Sequence, residues 1–182
     1  MPKGNSGKLK NFKFASTHGR KGKSQEILPV YANIKIKNKT LEGAMEEFRK
    51  KHGKADHEWA YAVDNQGFVH RYVEGAKHSV SITATEPGQM ILHNHPGGGA
   101  FSKPDLLNVA NEKNITGVVA TGSKGYEYVF KKGTHFAKHK DAFIKAVENG
   151  KIKGKDYDDA VHRWLTDNQK KYSYTYYRKK YK

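Results

Sequence analysis

The 182-residue chain contains no cysteine, which excludes disulfide bonds, thiolate metal ligands and cysteine nucleophiles. It also lacks any run of about eighteen apolar residues, and its N-terminus has no apolar signal-peptide centre. With 36% hydrophobic residues and a mean hydropathy of −0.90, the core must be modest and the surface very polar. The sequence therefore predicts a cytoplasmic, soluble protein without a membrane span, built as one domain with extensions.

Acidic residues are missing from both ends of the chain. Seven lysines and arginines precede Glu26 without any acid, and six more follow Asp167, again without any acid. These thirteen cations supply most of the net charge of +16, so the centre of the chain is nearly neutral. Cationic segments of this kind attract polyanions. Residues 1–26, rich in Lys, Gly and Ser, are predicted to be a flexible basic arm.

The order of hydrophobic patterns predicts an α+β fold, with a mixed β-sheet flanked by helices. Strands are expected over residues 27–37, 58–63, 68–73, 79–83, 90–92, 115–120 and 126–130. Helices are expected over residues 40–53, 102–113, 135–148 and 157–169. The predicted organisation is a basic arm (1–26), a metal-binding domain (27–133), C-terminal helices (134–169) and a basic, tyrosine-rich tail (170–182).

One stretch, from His93 to Asp105, concentrates the residues that can carry chemistry. Side chains of a strand repeat every two residues, so His93 and His95 should point to the same side. The glycines at 97–99 allow the chain to fold back, which makes Asp105 the natural third ligand. Three such ligands with a fourth position left for water are typical of catalytic zinc. The competing interpretations give these residues purely structural roles. In them, both histidines hydrogen-bond to the backbone, and Ser102 and Asp105 form a capping box at the start of a helix.

The order of Glu58 on an early strand, His93-x-His95 and Ser102-x-x-Asp105 resembles the JAMM/MPN family of zinc metallopeptidases. The resemblance covers roughly residues 28–132. Its His-Asn-His-Pro variant looks like that of bacterial and phage members, including domains of phage structural proteins and polymorphic toxins. It implies a JAMM/MPN-like, cytidine-deaminase-like layered core followed by C-terminal helices. The spacer between His95 and Ser102 has six residues, whereas the usual family pattern has seven.

The resemblance also implies a mechanism. Zinc held by His93, His95 and Asp105 would lower the pKa of its water from about 15.7 towards roughly 7. Glu58 would act first as general base and then as general acid, and Ser102 would donate a hydrogen bond to the developing oxyanion. The implied reaction is hydrolysis of a peptide or isopeptide bond in a protein or peptide substrate. An exposed glutamate at a strand end is the competing interpretation of Glu58.

The last thirteen residues interleave five tyrosines with six cations, a composition that suits nucleic acid. The candidate nucleic-acid-binding residues are Lys170, Lys171, Tyr174, Tyr176, Tyr177, Arg178, Lys179 and Lys180. A solvated tail, a strand with alternating tyrosines and an acidic protein partner stay open as alternatives. The second functional hypothesis is thus a basic nucleic-acid-binding protein whose JAMM-like core is not proteolytic. A third is a phage-borne or toxin effector, conceivably acting on nucleic acid.

Overall fold

The computed structural model of the chain describes residues 12–15, 25–27 and 40–181. The first two of these ranges are the strands β1 (Phe12–Ala15) and β2 (Gln25–Ile27). The predicted basic arm therefore contributes two strands, and its other residues lie outside the described ranges. The strand predicted over residues 27–37 also lies outside them, apart from its first residue.

From residue 40 to residue 167 the elements follow the predicted order with small shifts at their ends, and a short helix and a further strand come after them. They are α1 (Leu41–His52), β3 (Trp59–Asp64), β4 (Val69–Glu74), β5 (Ser79–Ile82), β6 (Gln89–His95), α2 (Lys103–Asn111), β7 (Ile115–Gly122), β8 (Tyr126–Lys132), α3 (Phe136–Glu148), α4 (Tyr157–Asp167), α5 (Gln169–Tyr172) and β9 (Tyr174–Lys180). A seven-stranded sheet has the order β2-β4-β3-β6-β7-β8-β9, and β1 pairs separately with β5. Only the β6–β7 pair is parallel among the described pairs, so the sheet is mixed and the α+β class is confirmed.

Helices cover both faces of the large sheet. On one face, α1 begins at Thr40, whose side chain accepts a hydrogen bond from the Gly43 amide at 3.0 Å. Its buried residues pack on alternate side chains of β3, β6, β7 and β8, among them Tyr61, Leu92 and Val119. On the other face, α2, α3 and α4 bury a second cluster against the intervening side chains of the same strands. Residues of one strand therefore point alternately to α1 and to α2.

The central strand β6 is buried along its whole length and delivers the predicted ligands. Ile91 belongs to the cluster on the α2 side, whereas Met90 and Leu92 belong to the cluster on the α1 side. With a period of two, His93 and His95 also face α2. The helix α2 is the crossover between the parallel strands β6 and β7, so it begins beside the carboxyl end of β6.

The predicted C-terminal tail needs correction, because most of it belongs to the folded core. Residues 174–180 form β9, which pairs antiparallel with β8 at one edge of the sheet. Tyr174 and Tyr176 are buried, and the ring of Tyr174 stacks on Phe130 with centroids 4.6 Å apart. The alternation of tyrosines is therefore that of a strand with one face in the core. No helix within the described residues is long and apolar enough to cross a membrane.

Candidate metal centre

Three predicted ligands meet in one buried triangle between β6 and α2. The Nε2 atoms of His93 and His95 lie 2.9 Å apart, and each lies 3.3 Å from Oδ2 of Asp105. All three side chains have no exposed surface. Ligand atoms bonded at about 2.0–2.1 Å to a tetrahedral zinc are about 3.3–3.4 Å from one another. The triangle therefore has close to the size of one face of such a site, and this group could hold a metal ion.

The start of α2 fixes the carboxylate of Asp105. Ser102 is the N-cap residue, and its Oγ accepts a hydrogen bond from the Asp105 amide at 3.1 Å. In return, Oδ2 of Asp105 accepts one from the Ser102 amide at 2.9 Å. The capping box and the ligand role are thus compatible, since the same geometry that caps the helix aims the carboxylate at the histidines. The other oxygen, Oδ1, is buried without a hydrogen-bond partner among the described residues, which fits a site built for a cation.

The far side of the His95 imidazole is held by the backbone. His95 Nδ1 donates to the carbonyl oxygen of Gly99 at 2.8 Å, which directs the lone pair of Nε2 towards the triangle. The loop that carries Gly99 turns through Gly98, whose φ of +78° favours glycine. This turn lets the chain return to His95 directly after the ligand.

The six-residue spacer between His95 and Ser102 is braced by α4. The carboxylate of Asp158 accepts a hydrogen bond from the Ala100 amide at 3.0 Å. The hydroxyl of Tyr157 donates to the carbonyl oxygen of Phe101, also at 3.0 Å. The C-terminal helices, which lie outside the part that resembles JAMM/MPN proteins, thereby hold the loop that leads to Asp105. No local sequence pattern indicates these contacts, because they join segments far apart in the chain.

The ionisation of the triangle follows from burial and close contact. Burial opposes charge on Asp105, but the two imidazoles outweigh it and hold the pKa of the carboxyl well below its usual range. Burial also opposes a charged His95, yet the hydrogen bond and charge of Asp105 raise its pKa to about 9, with a further contribution from Glu58. Burial lowers the pKa of His93. Without metal, the site thus pairs one carboxylate with one imidazolium, and His93 stays neutral.

Glu58 lies on the same face of the sheet as the triangle. It directly precedes β3 and has no exposed surface. The register between β3 and β6 pairs Ala60 with His93, and continuing it places Glu58 opposite His95. Residues opposite each other in antiparallel strands share a face. The contribution of Glu58 to the raised pKa of His95 agrees with this placement.

Asn94 is a residue of the site that sequence reasoning missed. Its side chain is fully buried, and its Oδ1 accepts a hydrogen bond from the Trp59 amide at 2.6 Å. Its Nδ2 donates to the carbonyl oxygen of His57 at 2.9 Å. The side-chain amide of Asn94 thus holds the backbone on both sides of Glu58, which fixes the position of the Glu58 side chain. The only sequence signal is an amide between two ligands on a strand that is otherwise apolar.

Replacing Asn94 by alanine is expected to lower the free energy of unfolding by about 1–3 kcal/mol, because backbone groups of His57 and Trp59 lose their partners. Amide hydrogen exchange at Trp59 should become faster. Urea denaturation and exchange measured by NMR check both effects. Asn111→Ala is the matched control: it removes an exposed amide that bonds to the Leu107 carbonyl and should change stability by less than about 0.5 kcal/mol. Unchanged exchange at Trp59 would contradict the assigned contact.

The residues predicted to bind nucleic acid do not form one surface. Lys170 and Lys171 are exposed on α5, at the end of β9 opposite Lys180. Tyr174 and Tyr176 offer no ring face to a base because they are buried, which corrects their assignment to a stacking surface. Of the others, Tyr177, Arg178 and Lys179 are partly buried on β9, and Lys180 is exposed.

Comparisons of the chain with known proteins find no match among protein-family models, curated proteins or solved structures. The JAMM/MPN resemblance therefore stays an expectation drawn from the motif and the element order of the sequence. What the structure adds is spatial: the His, His and Asp of that motif meet in one triangle, and its Glu stands on the same face.

Proposed function

We propose that this chain is a zinc-dependent hydrolase of the JAMM/MPN type that cleaves a peptide or isopeptide bond with water. The observation that carries the proposal is the buried triangle of His93, His95 and Asp105, with Glu58 buried on the same face of the sheet. Two neutral imidazoles and a carboxylate are a donor set that suits catalytic zinc. When bound, zinc supplies the Lewis acidity that makes water a nucleophile near neutral pH.

Glu58 is the proton carrier in this proposal. The oxygen of water bonds to the carbonyl carbon, and Glu58 accepts the proton that water loses. The carbon–nitrogen bond then breaks, and Glu58 returns the proton to the leaving nitrogen, so that an acid and an amine are released. Burial suits this role, because a carboxylate shielded from bulk water exchanges its proton with the substrate rather than with solvent.

Ser102 is the hydrogen-bond donor for the oxyanion in this proposal. Its Oγ already accepts a hydrogen bond from the Asp105 amide, which leaves the hydroxyl hydrogen available for donation. The capping box holds the side chain in place before any substrate arrives. A donor fixed in advance stabilises developing negative charge without a cost of reorganisation during the reaction.

The zinc content of purified wild-type protein tests the proposal first. We expect about one zinc per chain by mass spectrometry, retained in Glu58→Ala and lost in His95→Ala and Asp105→Ala. His139→Ala, which changes a histidine of α3 outside the triangle, is the control and should keep the metal. Peptide-library screening of the loaded protein, with and without a chelator, then tests hydrolysis. A wild type that takes up no zinc, or ligand variants that keep it, would refute the site.

A further inference from the structure

A cleft of about 470 Å³ lies on the α1 side of the sheet, away from the His–His–Asp triangle. The end of α1 and the end of β9, which are far apart in sequence, build it together. Its lining consists of four cations and a tyrosine: Arg49, Lys50, Lys179, Lys180 and Tyr181. This juxtaposition brings the end of the predicted basic tail next to cations of the central domain, which the sequence alone could not show.

A buried carboxylate holds two of these cations in place. Glu127 of β8 has no exposed surface, and its Oε2 lies 3.3 Å from Nη1 of Arg49. Its Oε1 lies 3.2 Å from Nζ of Lys179. The guanidinium of Arg49 also stands 5.5 Å from the ring centre of Tyr181, whose hydroxyl donates to the Gly122 carbonyl. The cations are therefore ordered before a ligand arrives, which reduces the entropy lost on binding.

The charges at the cleft leave it positive. Glu127 offsets one of the four lining cations, and because it is buried it stays in place. Two further carboxylates contact the cleft from outside: Glu46 lies 2.8 Å from Lys50, and Glu42 lies 3.9 Å from Lys179. Both are exposed, and exposed ion pairs are weak enough to open when a stronger anion binds. The four cations thus outnumber the three carboxylates, and the two exposed carboxylates can turn away from a bound polyanion while Glu127 stays in place.

We propose that this cleft binds the phosphate groups of a nucleic-acid backbone. Glu127 engages Arg49 through Nη1, so the remaining N–H donors of that guanidinium can meet phosphate oxygens. The chain as a whole carries a net charge of +16, which favours polyanionic ligands. A uniformly charged polymer matches this cluster of four cations better than a peptide with scattered acids. With Tyr174 and Tyr176 buried, contacts go to phosphates rather than bases, and recognition is independent of sequence.

This site is independent of the proposed hydrolase. Gly122, which accepts the hydrogen bond from Tyr181, pairs with His95 in the β6–β7 register, so cleft and triangle share one end of the sheet. They nevertheless lie on opposite faces, because Glu127 shares the α1-facing side with Val129 whereas His95 faces α2. Asp105→Ala protein, emptied of zinc, should bind nucleic acid as the wild type does.

Fluorescence anisotropy tests the proposal with the full chain and labelled oligonucleotides of about 20 nucleotides. Single-stranded DNA, single-stranded RNA and a duplex are measured separately. Lys50→Ala/Lys180→Ala removes two exposed cations of the cleft and leaves Arg49, Lys179 and Glu127 paired. Between about 50 and 200 mM KCl, the negative slope of log K against log [salt] should become shallower by about 2 in this double variant. Its binding at about 100 mM KCl should be at least about tenfold weaker than that of the wild type. The matched control, Lys151→Ala/Lys153→Ala, removes the same charge from an exposed segment before α4 and should stay within about twofold of wild type.

Three results would overturn the proposal. The first is a wild type that binds no nucleic acid at about 50 mM KCl. The second is an equal loss in both double variants, which would make binding a matter of total charge. The third is competition by poly-glutamate as effective as by oligonucleotide at equal charge, which would assign the cleft to an acidic protein. All four lysines are exposed, so both double variants should keep the melting temperature of the wild type. Thermal unfolding checks this and separates a loss of nucleic-acid binding from a loss of folding.

Discussion

Glu58→Gln is expected to lower the rate of hydrolysis by about 10²–10⁴-fold while the protein keeps about one zinc per chain. Glutamine has nearly the same size as glutamate and preserves the packing of a side chain with no exposed surface. It cannot accept a proton, so the attacking water and the leaving nitrogen lose their shared proton carrier. The loss should fall on kcat rather than on KM, because the proton moves only during the reaction. Steady-state kinetics on a peptide found by screening, together with zinc content, check both parts.

Two exposed glutamates outside the triangle serve as controls for Glu58→Gln. Glu86 is exposed after β5, and Glu74 is exposed at the end of β4, where it contacts His57. Glu86→Gln and Glu74→Gln should therefore leave kcat within about twofold of wild type. Full activity in Glu58→Gln would exclude Glu58 as the base. Loss of zinc in the same variant would show instead that Glu58 is a ligand.

The ligand geometry was predictable because it follows from local rules. The period of a strand places His93 and His95 on one side, and a Ser-x-x-Asp pattern before an apolar run marks the start of a helix. The structure confirms that the three predicted ligand side chains converge. Thr40 as the start of α1 was predictable for the same reason, since an N-cap depends on residues three apart. Each of these predictions needed only a few neighbouring residues.

The support of the site was not predictable, because it depends on contacts between distant segments. Asn94 reaches back to residues before β3, and Asp158 reaches from α4 to Ala100. The strand β9 remained only one of several alternatives for a related reason. Alternating tyrosines and cations suit both a solvated tail and an edge strand, and only pairing with β8 decides between them. The basic cleft lies between α1 and β9, which are far apart in sequence, so it could not be predicted either.

Apparent zinc affinity is expected to rise about tenfold per pH unit between pH 6.5 and 8.5, and to level off above about pH 9. Without metal, Asp105 raises the pKa of His95 to about 9, so this imidazole carries a proton at neutral pH. A metal ligand must be deprotonated, and zinc therefore has to displace that proton. His93 has a lowered pKa and Asp105 is already ionised, so neither adds a second proton in this range. About one proton should be released for each zinc bound.

Stability without metal should change in the opposite direction over the same pH range. Because the folded pKa of His95 lies above its usual 6.5, its protonation stabilises the metal-free protein fully below pH 6.5, and that stabilisation is lost as pH rises through about 9. The gain in melting temperature on adding a fixed excess of zinc should therefore grow from pH 6.5 to pH 9. Competition with a chromophoric chelator measures the affinity, and calorimetry in two buffers of different ionisation enthalpy counts the protons. Zinc affinity that stays flat between pH 6.5 and 8.5 would contradict a protonated His95, and with it the paired carboxylate and imidazolium that zinc is expected to replace.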